Sequence, residues 1–202
     1  MKSFCKSILG GFSIGLGGLI YLSVDNKIVG SALFSIGLFL VLTMSFNLFT
    51  GKICYVCDKN GPSILDVISI WLGNYIGTLI IALIIRETRG AAGVAEKAAN
   101  LCAIKNGDSY FSLFLLGILC NIFIFIAVEE YKCNEHVIGK YLAIILGVMG
   151  FILAGTEHCI ADMFYYNVAF SFSVDMLIRL LVITAGNTVG GIVANYAVKK
   201  VK

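Results

Sequence analysis

Ala154-Gly155-Thr156-Glu157-His158-Cys159-Ile160-Ala161-Asp162-Met163-Phe164 decides how the rest of this 202-residue chain is read. Apolar runs flank the stretch on both sides, and it holds one of the two histidines in the sequence. Ionisable side chains inside hydrocarbon are costly, so Glu157, His158 and Asp162 are expected to line a pathway or cavity and not to face lipid.

The surroundings are membrane-like by composition. Hydrophobic residues make up 59% of the chain and charged residues 13%, with a mean hydropathy of +0.94. These values exclude an ordinary soluble domain. The apolar runs are long and lack the period-two alternation of barrel strands, so an all-α integral membrane protein is expected. At about 20 residues per span, residues 1–202 accommodate six crossings in a single transmembrane domain. The net charge of +3 and the absence of a basic patch point away from nucleic acid.

Taken in order, the first run covers about Ser7 to Val24. It starts without a cleavage-like flank and reads as a span, not a removable signal. Its glycines, Gly10, Gly11, Gly15, Gly17 and Gly18, let neighbouring helices approach closely in lipid. The second run, about Val29 to Phe46, meets Asn47-Leu48-Phe49-Thr50-Gly51-Lys52, a polar break suited to unwinding a helix. A loop with Cys54, Cys57 and Pro62 leads to the third run, about Ile64 to Ile85, and Pro62 suits its start. Arg86 to Asp108 is the longest non-spanning segment, with a short surface helix expected around Ala91 to Ala99. The fourth run covers about Phe111 to Val128, the fifth Val137 to Leu153, and the sixth about Met176 to Val198.

Two further patterns set orientation and symmetry. Lys2, Lys6, Lys52, Lys59, Lys132, Lys140, Lys199, Lys200 and Lys202 fall on one side, nine of the fifteen basic residues. The positive-inside rule then puts both termini in the cytoplasm. Gly73-Asn74-Tyr75-Ile76-Gly77 in the third run recurs as Gly186-Asn187-Thr188-Val189-Gly190 in the sixth, and the second and fifth runs both end in polar breaks. An odd number of spans per repeat requires halves of opposite orientation, about 1–90 and 105–202. Inverted repeats with two broken helices are an architecture of solute pathways.

Little supports chemistry on a substrate. Cys54-Tyr55-Val56-Cys57 is a single CxxC with no second pair, and His136 is the one spare imidazole, so no metal site is expected. The seven cysteines are scattered and do not form a secreted disulfide framework. Nucleotide loops and a Ser/His/Asp arrangement are missing, so neither cofactor nor enzyme activity is expected. His158 is the group best suited to function, because modest environmental shifts move its protonation across physiological pH.

Leu48-Phe49-Thr50-Gly51, Leu116-Gly117-Ile118-Leu119-Cys120-Asn121, the stretch from Gly155 to Phe164, and Gly186-Asn187-Thr188-Val189-Gly190-Gly191 together resemble the formate/nitrite transporter family, which includes hydrosulfide channels. The resemblance covers nearly the whole chain, in order. It implies an aquaporin-like protomer of six transmembrane helices with broken second and fifth helices, assembled as a homopentamer with one pore per subunit. By the same resemblance, Phe34, Leu38 and Phe49 form one apolar constriction and Phe151 belongs to the other. Thr50 faces the central His158, Asn121 and Asn187 are pore-side groups, Lys105 is a basic residue of the outer vestibule, and Glu157 is the acid preceding the histidine. Asn74 is left as a helix-contact group. The chain departs from the family pattern at Asp162, where asparagine is usual, at Asn47, where an acid is common, and at Val182, where proline is common.

The expectation is therefore a multi-pass channel in the cytoplasmic membrane of a prokaryote. It would pass small monovalent anions of weak acids, of the formate, nitrite or hydrosulfide class, with a proton transferred at His158. Two rivals stand beside it: an aquaporin-like pore for neutral solutes, and a membrane redox enzyme using the CxxC.

Overall fold

A computed structural model describes residues 1–201; Lys202, counted above among the lysines of one face, lies outside the described residues. The described residues form ten helices and no strand: α1 (Lys2–Ser23), α2 (Lys27–Phe34), α3 (Ile36–Thr43), α4 (Phe49–Ile53), α5 (Ile64–Arg86), α6 (Ala91–Gly107), α7 (Tyr110–Cys133), α8 (Val137–Leu153), α9 (Cys159–Ala169) and α10 (Val174–Val201). Among them, α1, α5, α7 and α10 are long and apolar enough to cross a membrane. The remaining apolar segments, Lys27–Thr43 and Val137–Leu153, are shorter. Each is followed by a break and then by a second helical piece, α4 or α9.

Local sequence explains where these helices start. Asn26 caps α2 by accepting from the backbone of Ile28 and Val29. Ser63 caps α5 in a reciprocal box with Asp66, which satisfies backbone donors left over at a helix start. Pro62 thus sits one residue before the cap and not inside the first turn, because Ser63 has the side chain that can do the capping. The non-spanning helix α6 runs to Gly107, eight residues past the expected end at Ala99, and so carries Lys105 on its last turn. Arg179 holds that end in place, donating to the backbone carbonyls of Lys105 at 3.0 Å and Asp108 at 2.6 Å.

Two helix pairs form the frame. α1 packs lengthwise on α5, and α7 packs on α10. Within each pair the helices run the same way, since Ser7 meets Gly73 and Gly15 meets Ile81, while Phe114 meets Gly186 and Ile118 meets Gly190. Tyr110 at the start of α7 bonds Asp175 at the start of α10, and Lys199 at the end of α10 pairs with Asp58, just before α5. The second pair therefore runs opposite to the first. α1, α5 and α6 enclose α9 from one side, and every residue from Cys159 to Val168 is buried.

Close backbone approach makes the pairing possible. A Cβ on Gly77 would run into the Ile8 carbonyl oxygen, and one on Gly190 into that of Ile118. Alanine at either position is expected to destabilise the protein by about 1–3 kcal/mol through overpacking. Alanine at Gly93 on α6, where a Cβ meets open space, is expected to stabilise by up to about 1 kcal/mol. Thermal unfolding of the purified protein in detergent measures all three.

Candidate functional site

At each break one residue turns extended: Leu48 at φ −118°, ψ 130° and His158 at φ −109°, ψ 106°. The preceding turns contain a left-handed residue, Ser45 at φ 55° and Gly155 at φ 68°. An extended residue inside a membrane strands the peptide groups on either side of it. Here an asparagine from the neighbouring long helix takes up those groups. Asn74 Oδ1 accepts from the Phe49 N–H at 2.9 Å, and its Nδ2 donates to the carbonyls of Asn47 at 2.9 Å and Ser7 at 2.6 Å. Asn187 Oδ1 accepts from the Cys159 N–H at 2.9 Å, and its Nδ2 donates to the carbonyls of Glu157 and Gly117, both at 2.8 Å. Even the flanking backbone bonds correspond, with Asn47 N–H donating to Lys6 and Glu157 N–H to Leu116.

The breaks meet through their side chains. Thr50 Oγ1 lies 3.0 Å from His158 Nε2, and both residues are buried. The Ala161 N–H donates to His158 Nδ1 at 3.1 Å, so the imidazole caps α9. With Nδ1 used as an acceptor, the ring proton sits on Nε2 and is donated to Thr50 Oγ1. The threonine hydroxyl keeps its own hydrogen for another acceptor. Asn121 completes the circuit: its Nδ2 donates to the Thr50 carbonyl at 3.2 Å and to the Asn187 carbonyl at 2.7 Å. Its Oδ1 is buried without a hydrogen-bond partner among the described residues.

Two cavities approach this circuit from opposite faces and share no lining residue. One, of about 230 Å³, opens on the face that holds the chain termini and is lined by Leu38, Val41, Leu48, Gly51, Lys52, Val128 and Lys132, among others. The other, of about 190 Å³, lies on the far face against Phe151, Thr156, Glu157, His158, Asp162 and Lys105, with Tyr21 and Tyr165 on its wall. Aromatic rings fill the space beside the histidine. Phe151 stacks on His158 with centroids 5.4 Å apart, and Phe34 meets Phe151 edge-on at 6.0 Å. Phe34 thus packs against Phe151, as α2 lies against α8. Leu38 lines the terminal-face cavity, and Phe49 is buried on the first turn of α4.

Lys105 is not a solvated loop charge. Its ammonium is buried, hydrogen-bonded to Glu157 Oε2 and 3.1 Å from Asp162 Oδ1. Burial works against its charge, but the two acids beside it, Asp162 and Glu157, outweigh that and hold Lys105 protonated above the ordinary lysine range.

The structure therefore brings together Thr50, His158, Asn121, Asn187, Glu157 and Lys105, and places Phe34, Phe151 and Leu38 on either side of them. Asn187 is fully buried, and its amide is spent on backbone groups in the same way as that of Asn74. Tyr21 and Tyr165 join the far cavity without any sequence signal that set them apart from other aromatic residues, and Thr156 joins it from the stretch that also holds His158. Cys54 is buried with Sγ directed at the Thr50 carbonyl, whereas Cys57 is exposed, and both are free thiols.

The equivalence of the two asparagines makes a prediction. Asn74→Leu and Asn187→Leu each leave at least two buried backbone groups unpaired, at about 1–3 kcal/mol per group. Both are expected to lower the melting temperature of the detergent-solubilised protein by similar amounts. A normal melting temperature for Asn187→Leu alongside a large loss for Asn74→Leu would give the two residues different jobs.

Known proteins resemble this chain in sequence and fold. The sequence profile of the formate/nitrite transporter family matches residues 1–199. Formate channel FocA of Haemophilus influenzae is 30% identical over 184 residues, which is 80% of this chain and 64% of that protein. Nitrite transporter NirC of Salmonella typhimurium is 27% identical over 93% of this chain and 78% of its own length. A solved structure described as a pentameric formate channel with formate bound superposes with a TM-score of 0.84 at 25% identity, covering 100% of this chain and 97% of that one. The chain spans a little under two thirds of the length of the Haemophilus relative. With its profile matched almost from end to end and its broken helices held as described, the chain belongs to the formate/nitrite transporter family.

Proposed function

We propose that this protein is a channel for small monovalent anions of weak acids, of the formate, nitrite or hydrosulfide class. In this reading it is a homopentamer with one pore per subunit, built from inverted repeats at about 1–90 and 105–202. It sits in the cytoplasmic membrane of a prokaryote with both termini inside. The observation that carries the reading is the 3.0 Å contact between Thr50 and His158, a buried polar junction between two cavities. The lysine bias of the terminal face supports the orientation. The relatives named above, formate channels and a nitrite transporter, support the substrate class, and the pentameric relative supports the assembly.

A bare anion in hydrocarbon is strongly disfavoured, so passage needs either donors or a proton. Thr50 supplies a donor, since its hydroxyl hydrogen is left over once its oxygen accepts from His158. His158 supplies orientation. A second ring proton would displace the Ala161 N–H from Nδ1, so the histidine acts as a fixed Nε2–H donor to Thr50 and not as a proton reservoir. Asn121 and Asn187 act one step back, positioning the breaks. Phe34, Leu38, Phe49 and Phe151 strip hydration from the solute. On the terminal face Lys52 and Lys132 border the cavity and raise the local anion concentration, an effect that salt screens.

Stopped-flow measurements on proteoliposomes test this. Formate, nitrite and hydrosulfide are expected to pass, and glycerol and lactate to be excluded. Thr50→Val keeps the shape but loses the donor, and is expected to slow anion flux by about tenfold or more, the equivalent of one hydrogen bond to a charged group. Faster passage of glycerol than of any anion would replace this reading with a neutral-solute pore.

A further inference from the structure

The far-face cavity holds a charge count that does not balance. One ammonium, Lys105, serves two carboxylates, Glu157 and Asp162. Their exposures are 7%, 6% and 1% in that order, so little water reaches the excess charge. Asp162 uses Oδ1 toward Lys105, while its Oδ2 is buried without a hydrogen-bond partner among the described residues. An unpaired negative charge in such a place is costly, and two carboxylates sharing a site do not both stay ionised. A proton on the unpartnered oxygen balances the cluster and leaves Lys105 with a single counter-charge.

The rest of the wall offers no second cation in contact with the acids. Lys27 on α2 lines the cavity but makes no ion pair with Glu157 or Asp162. The other titratable groups around Asp162 are neutral side chains: Tyr21 from α1, Cys102 from α6, Cys120 from α7, His158 at the break, and Cys159, Tyr165 and Tyr166 from α9. Phe151, which stacks on His158, also lines this cavity. An anion entering from the far face therefore meets the acid cluster on the wall of the same space as the aromatic side chains.

We propose that Asp162 turns the Lys105–Glu157–Asp162 cluster into the proton donor for weak-acid anions that enter from the far face. This rests on the channel reading above. The carboxyl O–H bond breaks as a new bond forms between that proton and the oxygen or sulfur of the anion, giving the neutral acid, which passes the rings of Phe151 and Phe34. The cluster, now one negative charge richer, takes a proton from hydronium in the cavity and is restored. The sum is the anion plus hydronium giving the neutral acid plus water, so transport carries no net charge.

Proteoliposomes and infrared spectroscopy test this together. Formate uptake by the wild-type protein is expected to rise as the pH on the far face falls, by up to about tenfold per unit, and to ignore an imposed membrane potential. Asp162→Asn leaves a neutral Lys105–Glu157 pair and is expected to flatten the rise to less than about twofold per unit and make flux respond to potential. Asp162→Glu is expected to restore the steep profile. An unchanged profile in Asp162→Asn overturns the proposal while leaving the channel reading intact. No formate flux in wild-type vesicles at any pH overturns both. Because Asp162→Asn alters a buried contact to Lys105 and can fail to fold, the infrared spectrum of the wild-type protein in lipid gives an independent check. A protonated-carboxyl C=O band that persists at neutral pH and shifts when formate is added agrees with the proposal, and its absence contradicts it.

Discussion

A broken helix inside a membrane is affordable only if the peptide groups it strands find partners, and here two asparagine side chains supply them. Asn74 and Asn187 each imitate the missing turn of helix, accepting from one side of the break and donating to the other. The circuit follows from that. Because Asn187 fixes the Glu157–Cys159 break, His158 projects to Thr50; because Asn121 holds both the Thr50 and Asn187 carbonyls, the two breaks keep a constant distance. The polar centre is thus a product of the latch that permits the breaks at all.

The two halves use one design with different electrostatic finishing. Leu48 caps nothing with its side chain, while His158, at the equivalent place, caps α9. Lysines border the cavity on the terminal face, whereas on the far face a lysine is consumed by two acids. The two mouths therefore differ in charge, with lysines on the rim of one and an acid cluster in the wall of the other. α6, anchored by Arg179 and by Tyr166 bonding Asn106, delivers Lys105 into that cluster.

Much of this was legible in the sequence. The apolar runs located every long helix within a few residues, because burial in lipid leaves a signal of composition alone. The polar breaks and the recurring Gly-Asn-x-x-Gly pattern marked where the halves correspond. What the sequence hid was which amide does what. Asn74 and Asn187 look alike in sequence, but the resemblance singled out Asn187 as a pathway group, whereas their hydrogen bonds are the same. The place of Phe34 beside Phe151, and of Lys105 in a buried cluster, depends on helix approach angles and on the length of α6, which periodicity does not encode. Asp162 stands out in the sequence only as a departure from the family pattern; its contact with Lys105 depends on where α6 delivers that lysine.

The claim beneath all of this is that a neutral imidazole joins the two breaks, accepting at Nδ1 from α9 and donating at Nε2 to Thr50. Solid-state ¹⁵N NMR of histidine-labelled protein in bilayers measures it directly, with His136 replaced so that His158 alone reports. The account predicts, at neutral pH, an unprotonated Nδ1 and a protonated Nε2 in contact with the threonine side chain. An imidazolium, or the opposite tautomer with lipid contacts to the ring, would contradict it.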